Sequence, residues 1–261
     1  MAAQEKSAGF FITDDKILFV ELVLSKRGIE LGSWGEALIP KGVIKDGSVK
    51  DSKGLKKVFS GIKKKYNFKS VTVSCNPDQI FIADLLKEAG FKKVTFESIG
   101  EACSILVTDP NKKDLPTGQA GTNMIVYIGE KKTEVYVSDK RGVKLLSVID
   151  FGRIYFEASA NQDFLLIFLK DKIDEQYISW HMHEEKIRQK IKRIVLLGEI
   201  SNLGSIADYL EPRLRIPVSV PNVWEKIIDF NQYIPAMTFE QSLYFSVPIG
   251  LSYREFTLIH R

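Results

Sequence analysis

The sequence holds one short cluster whose residue types could bind a transition metal. His181 and Glu185 are four residues apart in WHMHEE (180–185), so a helix would place them on one face, with His183 and Glu184 beside them. Imidazole and carboxylate groups at that spacing can ligate zinc. No further ligand set accompanies them, so we interpret the cluster as a solvated helix end and predict no metal site.

Common catalytic motifs are absent from the sequence. It contains no glycine-rich Walker loop, no serine nucleophile elbow and no HExxH zinc motif. Cys75 and Cys103 are the only cysteines, and they form no CxxC pair that would indicate zinc or a disulfide framework. The residues that conventional hydrolases use for catalysis are therefore missing. The small number of cysteines also favours a reducing cellular compartment.

The composition is that of an ordinary folded protein. The 261 residues are 44% hydrophobic and 27% charged, and 37 basic against 33 acidic residues leave a net charge of +4. This charge is too small for a dedicated nucleic-acid binder, so we expect no nucleic-acid partner. The N-terminus lacks the apolar core of a signal peptide, and FLLIFL (164–169) is far shorter than the roughly 20 residues of a membrane helix. We expect a cytoplasmic protein.

Apolar runs and turn residues predict three strands, then alternating helices and strands, in the first part of the chain. A polar turn at 13–16 separates the first two strands, and Asn76 is placed to cap the second helix. The predicted elements are strands at 8–12 and 17–24, a strand after Gly28, a helix at 52–66, a strand at 71–75, a helix up to Gly90, a strand at 92–99 and a short helix at 100–107.

The same order begins again after a loop at 109–122 that is rich in proline and glycine. Thr238 and Gln241 are placed as a capping box for the last helix, and Pro248 is expected to kink or end it. The second series has strands at 124–129, 132–139 and 143–151, a helical stretch at 155–190, a strand at 193–198, a helix around Ile206, a strand at 217–220 and a C-terminal helix.

We therefore predict an α/β fold of two lobes, each with the element order β-β-β-α-β-α-β-α. The first lobe covers residues 1–109, a linker or loop covers 110–122, and the second lobe covers 123–261. A cleft between two such lobes is a usual place for a ligand.

Five stretches resemble, in the same order, segments of the type IV pilus assembly protein PilM family, which belongs to the actin-like ATPases with a ribonuclease-H-like fold. The resemblance implies a protein on the cytoplasmic face of the inner membrane that holds a short N-terminal peptide of a membrane partner, PilN. The chain is short for this family, so the inserted subdomains of both lobes are expected to be reduced. The resemblance therefore does not decide which surface binds the partner. The five stretches are 9–22, 40–59, 85–107, 194–220 and 239–254.

The resemblance also indicates which residues would line a nucleotide cleft. In the family pattern, aspartates that support Mg²⁺ stand in the first strand of each lobe, where this chain has Phe11 and Tyr127. The family pattern also has a glycine at the position where this chain has Thr13. Gly198 is followed by Glu199, whose side chain would crowd a nucleotide and add negative charge beside it. The vestigial cleft would be formed by Thr13, Asp14, Asp15, Gly129, Thr133, Gly198, Glu199 and Asn202.

These departures predict a degenerate member of the family that does not hydrolyse ATP, since phosphoryl transfer depends on positioning and on neutralising charge. We expect no catalytic residue and no bound cofactor, while nucleotide binding with Mg²⁺ stays open. The leading hypothesis is a non-catalytic scaffold of the type IV pilus or competence assembly platform. Its partners would be the N-terminal peptide of a PilN-like inner-membrane protein and a pilus assembly ATPase, so the chain would be peripheral to the inner membrane.

Two alternatives remain open. The first is an actin-like ATP-binding protein or ATPase with atypical phosphate loops, whose acids would come from Asp14, Asp15 or Asp150. The second is the cytoplasmic component of a type II secretion-like system, which would be expected to continue into a membrane helix.

One amphipathic helix carries an unusual number of lysines. We interpret this run as the solvated face of the helix and keep contact with acidic lipid as the alternative. The lysines are Lys53, Lys56, Lys57, Lys63, Lys64 and Lys65.

Overall fold

A computed structural model describes residues 5–76, 78–107, 121–159, 161–182, 190–200 and 202–259. The chain forms two compact units. One comprises Met1–Ala102 together with Val223–Arg261, and the other comprises Cys103–Asn222.

The first unit is built on a five-stranded sheet in the order β3-β2-β1-β6-β7. The first three strands are antiparallel neighbours, and β6 and β7 continue the sheet in parallel with β1. The elements in this part of the chain are β1 Lys6–Ile12, β2 Lys16–Ser25, β3 Gly28–Leu38, β4 Ile44–Lys45, β5 Ser48–Val49, α1 Ser52–Tyr66, β6 Ser70–Cys75, α2 Gln79–Glu88, β7 Lys93–Phe96 and α3 Ile99–Val107, and the division between the units falls within α3.

The second unit repeats this topology with the strand order β10-β9-β8-β11-β12. The predicted two-fold repeat of an α/β pattern is therefore confirmed, because equivalent strands take equivalent places in the two sheets. The remaining elements are β8 Thr122–Ile128, β9 Thr133–Asp139, β10 Gly142–Ile149, α4 Arg153–Ala158, α5 Gln162–His181, β11 Ile191–Gly198, α6 Leu203–Leu214, β12 Val218–Ser219, α7 Phe239–Tyr244 and α8 Ser246–Ile259.

Several element boundaries differ from the prediction. In its described residues, the helical stretch expected at 155–190 contains two helices, because Asn161 caps a new helix by accepting a hydrogen bond from the Phe164 amide at 3.2 Å. The cap of α2 is Asp78 rather than Asn76, since its carboxylate accepts the amides of the first helical turn. Pro248 neither ends nor breaks the last helix, because it lies in the first turn of α8, where its missing N–H is not needed.

The capping box predicted for the last helical region is present. Thr238 accepts a hydrogen bond from the Gln241 amide at 3.2 Å, and the Gln241 side chain accepts one from the Thr238 amide at 2.9 Å. It caps the short helix α7, which ends at Phe245 before α8 begins.

The division into units also differs from the predicted lobes at 1–109 and 123–261. The chain returns to the first unit after residue 222, so α8 packs on β1, β2 and β6. The sequence pattern of α8 does not reveal which sheet it will cover. Of the predicted linker at 110–122, residues 110–120 lie outside the described residues, and Thr122 is the first residue of β8.

The central strand β1 is buried on both faces. Ala8, Phe10 and Ile12 belong to the core that also contains the buried side chains of α1 and α2. On the opposite face, Gly9 is the point of closest approach to α8, because a Cβ at this position would lie 2.1 Å from the Pro248 carbonyl oxygen. A larger residue at position 9 would therefore force the helix away from the sheet.

The interface between α8 and β1 is also tied by a buried hydroxyl. Ser252 Oγ donates to the Ser7 carbonyl at 2.8 Å and accepts a hydrogen bond from the Leu22 amide at 3.2 Å. Ser252 is fully buried, so this pairing satisfies polar groups that water cannot reach.

We predict that Gly9→Ala lowers the free energy of unfolding by at least about 2 kcal/mol, because the added methyl group collides with helix backbone that has no room to move. Urea denaturation of the full chain measures the change. Gly61→Ala is the matched control, since a Cβ at Gly61 in α1 meets nothing within 4 Å. This control should raise stability by about 0.5 kcal/mol through helix propensity, and equal effects of the two substitutions would contradict the prediction.

Candidate functional site

Phe11 and Tyr127 take equivalent positions in the two units. Each is the residue before the last in the first strand of its unit, β1 and β8. Phe11 is 6% exposed and pairs with Leu18 across the β1–β2 hairpin, and Tyr127 is 2% exposed and pairs with Glu134 across the β8–β9 hairpin. Neither position carries a carboxylate.

The turn of the first hairpin contains the three predicted residues Thr13, Asp14 and Asp15. The Thr13 hydroxyl donates to Asp15 Oδ1 at 2.8 Å, and the Thr13 amide donates to the Lys16 carbonyl at 2.9 Å. Asp14 Oδ1 accepts a hydrogen bond from the Gly47 amide at 3.1 Å. Both carboxylates thus help to hold the turn and the neighbouring β4–β5 ribbon.

Sequence reasoning missed Lys16, which is only 4% exposed although it begins β2 directly after this turn. Its ammonium group donates to Tyr244 Oη at 3.0 Å, and that hydroxyl donates to Glu36 Oε2 at 3.0 Å. This chain of hydrogen bonds links the hairpin to β3 and α7. The signal in the sequence was a single lysine at the start of an otherwise apolar run.

The turn of the second hairpin is closed by its own backbone and by the start of α4. Gly129 N–H donates to the Lys132 carbonyl at 2.9 Å, and the amides of Arg153 and Ile154 donate to the carbonyls of Gly129 and Glu130 at 2.9 and 3.1 Å. The first amides of α4 therefore donate hydrogen bonds to the turn and are not available to bind an anion.

Thr133, one of the residues predicted to form the vestigial cleft, is fully buried at 0% exposure. Its hydroxyl donates to the Phe151 carbonyl at 2.6 Å. The hydroxyl thus fastens β9 to the segment that leads into α4. Gly152 in that segment has no room for a side chain, because a Cβ would lie 2.6 Å from the carbonyl oxygens of Gly129 and Glu130.

Gly198 and Glu199 lie at the end of β11, next to the end of β8. The Glu199 amide donates to the Ile128 carbonyl at 2.8 Å. Gly198 has φ of 132°, and a Cβ there would meet the Ile128 carbonyl oxygen at 2.1 Å, so only glycine fits. Glu199 is 5% exposed, which places a carboxylate inside the protein at this strand end.

Arg153 supplies the positive charge for this region. Its Nη1 lies 2.6 Å from Glu157 Oε2, and its Nη2 lies 3.9 Å from Glu130 Oε2. Burial opposes the charge of Arg153, but the hydrogen bond and charge of Glu157, together with the charges of Glu199 and Glu130, raise its pKa. One guanidinium therefore interacts with three carboxylates, a cluster that sequence reasoning did not identify.

The structure thus brings four of the predicted residues together in the second unit: Gly129, Thr133, Gly198 and Glu199. Asn202 is exposed three residues further on, where it occupies the N-cap position of α6 without a capping hydrogen bond from its side chain. Thr13, Asp14 and Asp15 belong to the first unit.

Glu134 lies across the hairpin from Tyr127, on the sheet face that also carries Tyr136. Burial raises the pKa of Glu134, while the hydrogen bond from the Tyr136 hydroxyl and the charge of Lys132 act in the opposite direction. The protonated form of this carboxyl is therefore favoured by folding.

The two cysteines are poor nucleophiles in this environment. Burial raises the pKa of Cys75 to about 12, with a contribution from the charge of Asp78. Burial also raises the pKa of Cys103, and the charge of Glu134 adds to the effect. Because the thiolate is the reactive form, neither group is activated.

The predicted solvated helix end at His181 is described only in part, because His183, Glu184 and Glu185 lie outside the described residues. His181 Nδ1 lies 2.8 Å from the Tyr177 carbonyl, and the Ile191 amide donates to Nε2 at 3.4 Å. Since a carbonyl can only accept, Nδ1 is the donor in this hydrogen bond. The ring links α5 to β11.

Among the described ranges, no group of three or more histidine, cysteine, aspartate or glutamate residues is placed to hold a metal ion. Within the same ranges, none of the helices combines the length and the hydrophobicity that crossing a membrane requires.

No family model matches the chain. No curated protein matches it either. Solved structures do match. One is the PilM–PilN type IV pilus biogenesis complex, with a TM-score of 0.73 at 13% identity over 95% of this chain and 98% of that chain.

Two further matches come from other members of the same structural class. The ethanolamine utilization protein EutJ from Carboxydothermus hydrogenoformans has a TM-score of 0.58 at 14% identity, over 95% of this chain and 89% of that chain. MreB5 of Spiroplasma citri bound to ADP has a TM-score of 0.56 at 12% identity, over 97% of both chains. The chain has the actin-like fold. At these identities the likeness establishes the fold, which agrees with the architecture predicted from the sequence. It does not establish what chemistry this chain performs.

We predict that Arg153→Met destabilises the protein by about 2 kcal/mol at neutral pH, because it removes the cation beside the buried Glu199 and the partly buried Glu130. Urea denaturation at neutral pH measures the effect.

Lys172→Met is the control for this substitution. Lys172 pairs with Glu175 at 2.9 Å on the surface of α5 in the same unit. Its loss should change stability by less than about 0.5 kcal/mol. A cost of Arg153→Met no larger than that of Lys172→Met would contradict the assignment of the cluster.

We predict that Glu134→Gln gains stability relative to the parent as the pH rises above about 4, the ordinary pKa of a glutamate in an unfolded chain. A carboxyl whose pKa is raised by folding has no cost while it is protonated in both states. Its cost grows as the pH rises from the unfolded pKa to the folded pKa and is constant above that. The amide has no such titration. Unfolding free energies of the two proteins, compared at each pH, test this, and a constant difference would contradict it.

Proposed function

We propose that this chain is a non-catalytic, actin-like scaffold of the type IV pilus or competence assembly platform. The observation that carries the proposal is the presence of Phe11 and Tyr127 at equivalent strand ends of the two units. The resemblance to the PilM family assigns these two positions to aspartates that support Mg²⁺.

The residues present at these strand ends do not fit Mg²⁺. This cation is bound through carboxylates, water and phosphate oxygens in near-octahedral geometry. A phenyl ring offers no oxygen, and a tyrosine hydroxyl is a neutral group that does not offset the charge of the cation. Because phosphoryl transfer relies on Mg²⁺ to neutralise developing charge, we infer that the chain does not hydrolyse ATP.

The second hairpin also argues against a phosphate site. The Thr133 hydroxyl and the first amides of α4 already have carbonyl partners within the protein. Glu130 and Glu199 add negative charge next to this turn, and Arg153 is engaged by carboxylates. A triphosphate would meet repulsion here with few free donors to offset it.

The likeness to PilM in its complex with PilN supports a role in binding a partner. It spans nearly all of both chains, at a TM-score of 0.73. We therefore propose that the partner is the N-terminal peptide of a PilN-like inner-membrane protein, with a pilus assembly ATPase as a second partner. The chain would then be peripheral to the inner membrane, held there through its partner.

A second candidate is nucleotide binding without turnover. The likeness to MreB5 bound to ADP, over 97% of both chains, favours it. In this case the acids that act on the phosphates would come from Asp14, Asp15 or Asp150, and removal of Asp14 and Asp15 would be expected to change affinity.

We expect no release of phosphate from Mg-ATP above the rate without protein, and no change in this result for the Asp14→Ala, Asp15→Ala double variant. A phosphate-release assay and a calorimetric titration with Mg-ATP measure turnover and binding separately. Asp171→Ala with Asp174→Ala on α5 is a control with the same change in charge. Turnover that is lost only in the Asp14 and Asp15 variant would replace the scaffold proposal with an ATPase.

We also expect the chain to co-purify with a single-span membrane protein encoded beside it, and to bind a synthetic peptide of that protein's cytoplasmic N-terminus. Calorimetry with the peptide and with a scrambled peptide of the same composition tests the interaction. Equal binding of both peptides, or capture that survives deletion of the N-terminal segment, would contradict a PilN-like partner.

A further inference from the structure

Positive charge is concentrated in one short part of the chain. The protein has 37 basic and 33 acidic residues, and residues 52–69 contain seven lysines and no acid. The other residues therefore hold 30 basic and 33 acidic side chains, a net charge of −3 against +7 in this segment. The seven are Lys53, Lys56, Lys57, Lys63, Lys64, Lys65 and Lys69.

Helix α1 places three of these lysines on the side opposite its buried face. Its buried residues are Leu55, Phe59 and Ile62. Lys53, Lys57 and Lys64 are exposed, and their spacing puts them in one row along the outer face of the helix. The row is about 16 Å long at 1.5 Å per residue. We call it the lysine row.

Little within the protein offsets the charge of this helix. Lys56 pairs with Glu88 of α2 at 2.8 Å, with both side chains well exposed to solvent. Within the described part of the chain, the lysine row has no ion pair of its own. Lysines three and four residues apart on a helix repel each other, so this arrangement works against the stability of α1.

The positive region continues past the end of α1. Burial lowers the pKa of Lys63, and the charges of Lys92 and Lys69 lower it further, which indicates that the three ammonium groups are close. The Lys92 amide donates to the Lys69 carbonyl at 2.8 Å, which joins the starts of the two parallel strands β6 and β7. The basic surface thus runs from the lysine row around one end of the sheet.

We propose that the lysine row and the adjoining lysines bind the surface of an anionic lipid bilayer directly. A straight row of ammonium charges suits the diffuse field of a lipid surface, where each lysine adds to the attraction. The net charge of −3 elsewhere would turn this face toward the membrane and the other faces away from it. This contact would be made by the chain itself, in addition to any membrane partner.

The residue types favour lipid over nucleic acid. Residues 52–69 contain no arginine, the side chain that forms two hydrogen bonds with a guanine edge or a phosphate. The aromatic residues there are also engaged, since Phe59 and Phe68 are buried and Tyr66 stacks on Phe68 with ring centroids 5.4 Å apart. Bases of single-stranded nucleic acid need exposed rings on which to stack.

Co-sedimentation of the full chain with vesicles tests the proposal. We expect binding to phosphatidylcholine vesicles that contain about one-third phosphatidylglycerol and none to pure phosphatidylcholine. Binding should be lost when salt rises from about 0.1 M to about 0.5 M, because the attraction is screened. Lys53→Glu, Lys57→Glu, Lys64→Glu should lower the binding constant at least about 100-fold, since each lysine near the surface is worth roughly fivefold.

The matched control reverses three exposed charges of the second unit, with Lys140→Glu, Arg141→Glu and Lys144→Glu. It should retain binding within about threefold, because it changes the net charge equally but at another place. A second variant with glutamine at the three positions of the lysine row repeats the test if charge reversal impairs folding, which circular dichroism reports.

Binding to neutral vesicles, or equal loss in the control, would overturn the proposal. Preferential binding of a single-stranded oligonucleotide over the anionic vesicles would overturn it in favour of a nucleic-acid surface. The test requires neither nucleotide nor protein partner, so its result is independent of the scaffold assignment.

Discussion

The structure depends on the central place of the first strand in each sheet. β1 and β8 are hydrogen-bonded to an antiparallel neighbour on one side and to a parallel neighbour on the other. A strand held in this way cannot change register, so the position of its penultimate residue is fixed. Phe11 and Tyr127 occupy that position, and their side chains decide what chemistry the strand ends can perform.

In the second unit, polar groups around the β8–β9 hairpin are hydrogen-bonded within the protein. The Thr133 hydroxyl, the first amides of α4 and the Glu199 amide after β11 all donate to backbone carbonyls of neighbouring segments. Arg153 neutralises part of the acidic charge beside them. Groups that could have bound an anion thus stabilise the protein itself. This arrangement fits a protein whose role is to hold partners in place, as proposed above.

In the first unit, the close packing of α8 on β1 covers one face of the sheet. Gly9 allows the helix backbone to approach the sheet, and Ser252 fastens it there. The other face of the sheet is covered by α1 and α2, so the outer side of α1 is the surface of a well-anchored layer. Its lysines can therefore present positive charge without disturbing the core.

The sequence by itself determined the repeated element order, the α/β class and the absence of aspartate at positions 11 and 127, because periodicity and residue type are local properties. It predicted the stripe of α1 and the capping box at Thr238 for the same reason. Only the tertiary structure decided that α8 packs on β1, that Lys16 and Glu199 are buried, and that Arg153 lies near Glu130 and Glu199. Such contacts depend on which surfaces meet after folding, and a charged residue in a linear pattern gives no sign of the partner that will neutralise it.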